Sequence, residues 1–175
     1  RITVVPDSRR LRAAGGASTG VAVSGGIGSA AGGRNGLGEE ARAGGWGPLL
    51  GDEGSGYWMG LEGLRAVVRH GDGRGPATRL SSTLTADWTR GDDAQELPLQ
   101  AQARGRDAIA ALSTWVTAAA DAGDAVAQQI VDLAVRHLVE LVLAVARQWE
   151  ATARLDRLAL SGGVLEDGDV EVARL

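Results

Sequence analysis

The chain contains no cysteine and no phenylalanine, and its eighteen basic residues among 175 are all arginine. Without cysteine there can be no disulfide framework, no thiolate zinc site, no iron–sulfur ligation and no cysteine nucleophile. Without lysine, a Walker A phosphate loop is excluded, because that loop needs its lysine. A strong positive balance is also missing: the net charge of -4 leaves no electrostatic footprint for nucleic acid or for an anionic membrane. No apolar run reaches eighteen residues and no signal peptide is visible, so neither a spanning helix nor export is read, and a cytoplasmic location fits. There is no internal repeat and no low-complexity tail. The preference for Arg, Ala, Gly and Val reads as coding bias.

What is present points to a folded domain. Hydrophobic residues at 44% and charged residues at 23% match globular averages, and 175 residues suffice for one real core. Ile2 to Val5 is a β-branched run ended by Pro6, which reads as a buried strand with Asp7 at its carboxyl end. A short polar helix is read over Ser8 to Ala14. Val21 to Val23 forms a second strand, the glycines of SGGIGS turn the chain, and Ala30 to Arg34 returns as the hairpin partner. Asn35–Gly36 is a strong turn signal. Met59, Leu61, Leu64, Val67 and Val68 recur at helical spacing up to the glycines after His70. Further helices are expected over Thr78 to Trp88, Arg106 to Ala120 and Asp124 to about Ala151, with Asp124 as the cap of the last. On that last helix the apolar face is read as Val126, Ile130, Leu133, Leu138, Leu141, Val145 and Trp149. Gly91 to Gly105 is read as a connection, Leu158 to Leu160 as a strand, and the acidic stretch Glu166 to Glu171 as a solvated loop. Strands that end in glycine turns and alternate with long helices define an α/β fold, in which ligands gather at the carboxyl ends of strands.

Several short motifs admit both a chemical and a structural reading. SGGIGS, Ser24 to Ser29, exposes consecutive backbone N–H groups that suit a phosphate, or is simply a tight hairpin. Its glycine spacing is not the dinucleotide fingerprint, which also argues against an oxidoreductase. Asp7 is placed to take a proton from a hydroxyl, or to form the turn after Pro6. Asp52 and Glu53 lie in GGWGPLLGDEGSGYW just before a helix, where the dipole favours acids and where a carboxylate could also meet sugar hydroxyls, with Trp46 as an apolar face. His70 and His137 fit no triad or metal spacing.

In combination these segments resemble a known family. GGWGPLLGDEGSGYWMG, Gly44 to Gly60, is similar to the signature of the N-acetylglucosamine kinase family, a branch of the BadF/BadG/BcrA/BcrD-type ATPases of the actin/hexokinase/Hsp70 superfold. The flanking order agrees along nearly the whole chain: VVPD, then SGGIGS, the GWG block, long helices, and LSGGV at Leu160 to Val164. The resemblance implies an actin-like ATPase (ribonuclease H-like) α/β fold, a partial two-lobed sugar kinase, with residues 1–45 as the remainder of the N-terminal lobe and 46–175 as the C-terminal lobe. It implies ATP-dependent phosphorylation of N-acetylglucosamine or glucosamine at the 6-hydroxyl, with Mg2+ bridging the phosphates and Asp7 as the base. Gly26, Gly28 and Ser29 would bind phosphate, Trp46, Gly47 and Asp52 would line the sugar pocket, and Gly162 and Gly163 would lie against the adenosine. A homodimer is the assembly common in the family.

Ile27 stands where the family's turn has threonine, and Pro6 where it commonly has asparagine. No DGGGT-type strand and turn precedes RITVV, and no helix follows LSGGV, so the sequence reads as a piece of something longer. A catalytically inactive sugar- or nucleotide-binding remnant is therefore the alternative. Cysteine absence argues against the branch that carries iron–sulfur clusters.

Overall fold

The computed structural model describes residues 19–90, 93–149, 157–165 and 168–171. The strand expected at Ile2 to Val5, the helix at Ser8 to Ala14 and the strand-end Asp7 lie outside the described residues.

The chain first makes a three-stranded antiparallel meander: β1 (Gly20–Gly25), β2 (Ser29–Arg34) and β3 (Glu40–Gly44). Val21 and Val23 alternate with half-exposed neighbours and bury one face of β1, the period-2 pattern of a one-sided sheet. At the β2–β3 turn, Asn35 Oδ1 accepts from the amides of Leu37 and Glu39, which is the Asx chemistry that the Asn–Gly pair announces. β3 itself has no apolar run to betray it; it forms because its register with β2 pairs Ala41 with Gly33 and Ala43 with Ala31.

Five helices follow. They are α1 (Gly56–Gly71), α2 (Leu80–Trp88), α3 (Leu97–Ala111), α4 (Ser113–Asp121) and α5 (Ala125–Arg147), with a short 3-10 turn at Ala94–Glu96 before α3. The expected connection at Gly91 to Gly105 is instead mostly helix: Asp93 caps the 3-10 turn at the amide of Gln95, Pro98 sits in the first turn of α3, and Leu97 is buried. α3 breaks its geometry once, at Gly105 (φ 76°, ψ -173°), a conformation open to glycine. Asp124 caps α5 as expected, accepting from the amide of Ala127. The buried stripe of α5 runs Ala127, Ile130, Ala134, Leu138, Val142, Val145 and on to Trp149; Leu133 is one step off it and 45% exposed.

β4 (Arg157–Ser161) pairs parallel to β1, and β5 (Gly168–Glu171) pairs antiparallel to β4, so the sheet order is β3-β2-β1-β4-β5. Part of the acidic stretch read as a solvated loop is thus an edge strand, a role that charged residues suit. The sheet draws strands from both sides of the Gly45–Trp46 boundary.

Two cores share α5. Its amino-terminal half packs with α1 to α4 around Met59, Leu80, Leu84, Leu112 and Val116. Its carboxyl-terminal half, from Leu138 to Trp149, covers Val21, Val23, Ala31 and Ala41 of the sheet. The segment Asp52–Gly54 lies where the two meet: a Cβ on Gly54 would stand 2.5 Å from the Ala134 carbonyl and 3.0 Å from Leu138. Gly54 thereby brings the end of the glycine-rich block onto the middle of α5.

Candidate functional site

Three glycine turns converge at one end of the sheet. The β1–β2 turn, Gly25 to Gly28, is closed by the Gly26 amide donating to the Gly28 carbonyl at 3.0 Å. The turn after β4 lies against it. Gly162 has φ 102°, and a Cβ there would sit 2.7 Å from the Gly25 carbonyl group; the Val164 amide donates to that same carbonyl at 2.9 Å. The amino terminus of α1 arrives from the third direction, where the Gly56 amide donates to the Gly26 carbonyl at 2.8 Å. Parallel pairing of β1 with β4 forces this meeting, because both strands point their carboxyl ends the same way.

Asp52 is the centre of the cluster. It is 4% exposed and, among the described residues, is the one non-glycine with positive φ (63°). A non-glycine residue held there at a cost of about 1–3 kcal/mol must be fixed by its surroundings, and such outliers gather at functional sites. The fixing groups are plain. The Ser29 amide donates to Oδ1 at 3.1 Å, and Arg106 Nη2 donates to Oδ2 at 2.5 Å. Ser29 Oγ donates to the Glu53 carbonyl at 2.7 Å, so the amide and the hydroxyl of this buried serine both face the acidic segment. Ser55, not Asp52 or Glu53, caps α1, its Oγ accepting from the Trp58 amide at 3.2 Å. The acidic pair therefore does not serve the helix start in the way that its position suggests.

Other expected residues divide by burial. Gly28 touches the ion pair, since a Cβ would lie 2.7 Å from Asp52 Oδ1 and 2.9 Å from Arg106 Nη2. At Gly26, Gly47 and Gly163 an added Cβ meets nothing within 4 Å, which leaves open backbone at the phosphate turn, in the tryptophan block and after β4. Trp46 is 71% exposed and carries Arg42 over its ring at 6.0 Å. Ile27 stands 46% exposed at the tip of the turn. The structure thus joins Gly26, Gly28, Ser29, Asp52 and Gly162 directly, while Trp46 stands exposed and Gly47 has open space at its Cα.

Sequence reasoning missed Arg106. It lies 54 positions from Asp52, on a helix that reads as ordinary, and its one local signal is Gly105 immediately before it. His70 bonds Ser81 through Nδ1 and Oγ at 2.8 Å, and His137 meets the Trp58 ring edge-on at 5.2 Å; both are packing roles, as expected. Among the described residues no group of three or more His, Cys, Asp or Glu side chains could hold a metal ion, and no helix is long and apolar enough to cross a membrane.

A mixed five-stranded sheet, helices packed on it and glycine turns gathered at its strand ends are the features of the actin-like ATPase fold, the class to which this α/β chain belongs. The chain belongs to the BadF/BadG/BcrA/BcrD ATPase family, whose model matches residues 7–173. It is 34% identical over 171 residues to an N-acetylmuramic acid/N-acetylglucosamine kinase of Clostridium acetobutylicum, matching 95% of this chain and 55% of that protein. It is also 34% identical over 113 residues to an N-acetyl-D-glucosamine kinase of Dictyostelium discoideum, covering 63% of this chain and 35% of that one. Among solved structures, a Chromobacterium violaceum protein assigned as an N-acetylglucosamine kinase superposes with a TM-score of 0.70 at 29% identity, over 88% of this chain and 51% of its own. A Porphyromonas gingivalis structure at 24% identity and TM-score 0.63, over 88% of this chain and 50% of its own, shares the fold. The chain spans about half the length of the first of these relatives, 55%.

Proposed function

We propose that the protein of which this chain forms the described region is an ATP-dependent amino-sugar kinase that phosphorylates N-acetylglucosamine, or a close relative, at the 6-hydroxyl. The observation that carries the reading is Asp52: a buried carboxylate in a left-handed conformation, tied to the glycine turn through the Ser29 amide. A carboxylate has about four acceptor sites, so Oδ1 and Oδ2 each keep capacity for a sugar hydroxyl. Trp46 and the bare backbone of Gly47 supply an apolar face and close approach for the ring. The open space beside Gly26, whose own amide is taken by the Gly28 carbonyl, leaves room for phosphate oxygens against the turn, with Gly28 and Ser29 holding the turn in place and Gly162 and Gly163 beside it for the nucleoside.

In the reaction, the Asp7 carboxylate takes the proton of the 6-hydroxyl as that oxygen bonds to the γ-phosphorus. The bond to the β–γ bridging oxygen breaks, and ADP leaves with the electron pair. Positioning and charge neutralisation carry most of the catalysis in such transfers. Mg2+, brought with ATP, would supply charge neutralisation to the phosphates; among the described residues no cluster of acidic side chains is placed to hold it. On this reading the reaction is cytoplasmic, where ATP is supplied, and the assembly is a homodimer, as the resemblance to the family implies.

The second reading, a binding remnant without turnover, is favoured by Ile27, which puts an exposed hydrocarbon at the turn's tip where the family's threonine would offer a hydroxyl. Calorimetric titration with N-acetylglucosamine, with and without Mg-ATP, and a coupled assay for ADP distinguish the two. Binding with turnover supports the kinase, binding without turnover supports the remnant, and binding of neither sinks both. Asp7→Asn should abolish turnover and leave sugar affinity within a few fold, since the base acts in the chemical step. Full activity in that variant removes Asp7 from the role.

A further inference from the structure

We infer that Arg106 is the positioning residue of the sugar site: it aims the Asp52 carboxylate, and with it sets sugar affinity. This rests on the kinase reading above, and the geometry behind it is specific. The guanidinium is held on three sides. Nη2 donates to Asp52 Oδ2 at 2.5 Å and to the Ile27 carbonyl at 3.4 Å, and the group lies over the Tyr57 ring at 5.6 Å. One donor nitrogen therefore bridges the carboxylate and the tip of the glycine turn.

The remaining tether on Asp52 is the Ser29 amide at Oδ1, and one backbone donor alone leaves the carboxylate free to rotate about its Cβ–Cγ bond. Arg106 removes that freedom. The side chain of Arg106 is 39% exposed while that of Asp52 is 4% exposed, so the pair is buried on the carboxylate side and open on the guanidinium side. A buried carboxylate whose cation is taken away is left uncompensated, and it will reorient toward whatever donors remain. Two glycines border this contact. Gly28 must lack a side chain, because its Cβ would fall 2.7 Å from Oδ1 and 2.9 Å from Nη2. Gly105 takes φ 76° inside α3, and the break changes the direction from which Arg106 leaves the helix. Arginine also differs from lysine here, since its planar guanidinium can lie over the Tyr57 ring while Nη2 addresses the carboxylate and a carbonyl.

The test compares wild type with Arg106→Gln and Arg106→Lys for N-acetylglucosamine and Mg-ATP, measuring kcat, both KM values, both dissociation constants and the melting temperature. The expected result is a tenfold to hundredfold rise in the sugar Kd and KM for Arg106→Gln. Its Mg-ATP Kd should stay within about threefold of wild type, and Arg106→Lys should recover part of the sugar affinity. Unchanged sugar affinity in Arg106→Gln overturns the inference. So does an equal loss for sugar and nucleotide with a fall in melting temperature and no recovery in Arg106→Lys, which is the signature of a purely structural contact. A wild-type protein that binds no amino sugar overturns the kinase reading instead, and the two failures are told apart by that control.

Discussion

Two glycines of the β1–β2 turn, on either side of Ile27, should respond in opposite ways to the same added methyl group. At Gly28 the new Cβ would lie 2.7 Å from Asp52 Oδ1 and 2.9 Å from Arg106 Nη2, so Gly28→Ala must push the ion pair off the turn. Overpacking of this kind costs about 1–3 kcal/mol. For a chain of this size, that is a fall of about 2–12 °C in melting temperature. At Gly26 a Cβ meets nothing within 4 Å and the backbone is outside the left-handed region, so Gly26→Ala should fold as well as wild type, or gain up to about 1 kcal/mol from a stiffer unfolded chain. The empty space at Gly26 is where the kinase reading puts phosphate oxygens, and a methyl there would displace them. Loss of one hydrogen bond to a charged group is worth about 1.5–3 kcal/mol, so affinity for a non-hydrolysable ATP analogue should fall about tenfold to a hundredfold. Thermal melts and calorimetric titration of the two variants read both effects. Wild-type nucleotide affinity in Gly26→Ala would refute phosphate binding at the turn, and a wild-type melt for Gly28→Ala would refute the packed Asp52–Arg106 contact.

Gly60→Ala should be the most damaging of the glycine changes, because its Cβ would overlap the Ile109 backbone carbonyl and force α1 away from α3; a loss of about 3 kcal/mol or more, or failure to fold, is expected by thermal melt. Asp124 is buried, which pushes its pKa up, but the amides of Ala127 and Arg79 and the Thr78 hydroxyl outweigh this and hold it below 3.8. A lowered folded value means that its stabilisation is complete above the ordinary carboxylate value and fades as pH falls through the folded one, so Asp124→Ala should cost about 2–4 kcal/mol at pH 7 and progressively less in melts below pH 4. Ile27→Thr should raise turnover of an impaired kinase while leaving the melt unchanged, since Ile27 is 46% exposed; an unchanged rate would mean that the hydroxyl at the tip is not needed.

Most of the fold was legible where side chains repeat. The Val21–Val23 alternation, the helical spacing from Met59 to Val68 and the Asp124 cap each state their element locally, and each stands where expected. The misreadings share a cause. β3 and β5 are edge strands poor in apolar side chains, and they exist because a neighbour offers backbone partners, which no local pattern records. Leu97 and Pro98 begin a helix inside a stretch that is otherwise polar, where one buried leucine anchors it. Leu133 looked like core because it is leucine, and it faces outward because Ile130, Ala134 and Leu138 set the phase.

The candidate site was legible in its glycines and acids but not in what connects them. Asp52 could be singled out from GDEGS, yet its position invited the reading of a helix-start acid, when Ser55 performs that task three residues later. Its left-handed backbone, its bond to the Ser29 amide 23 residues away and its pairing with Arg106 all depend on the start of β2, the approach to α1 and the body of α3 meeting at one point. That meeting follows from parallel pairing of β1 and β4, a contact between residues more than 130 positions apart in the chain, such as Val21 and Leu158. Small residues let the turns touch: Gly162 closes on Gly25, and Gly56 brings the head of α1 to the Gly26 carbonyl. A charged pair set into that junction links the acidic segment to the tip of the turn. If phosphate binds at Gly26 and sugar at Asp52, the two ligands are then coupled through Ser29 and Arg106, and saturating nucleotide should tighten sugar binding by the same factor that sugar tightens nucleotide.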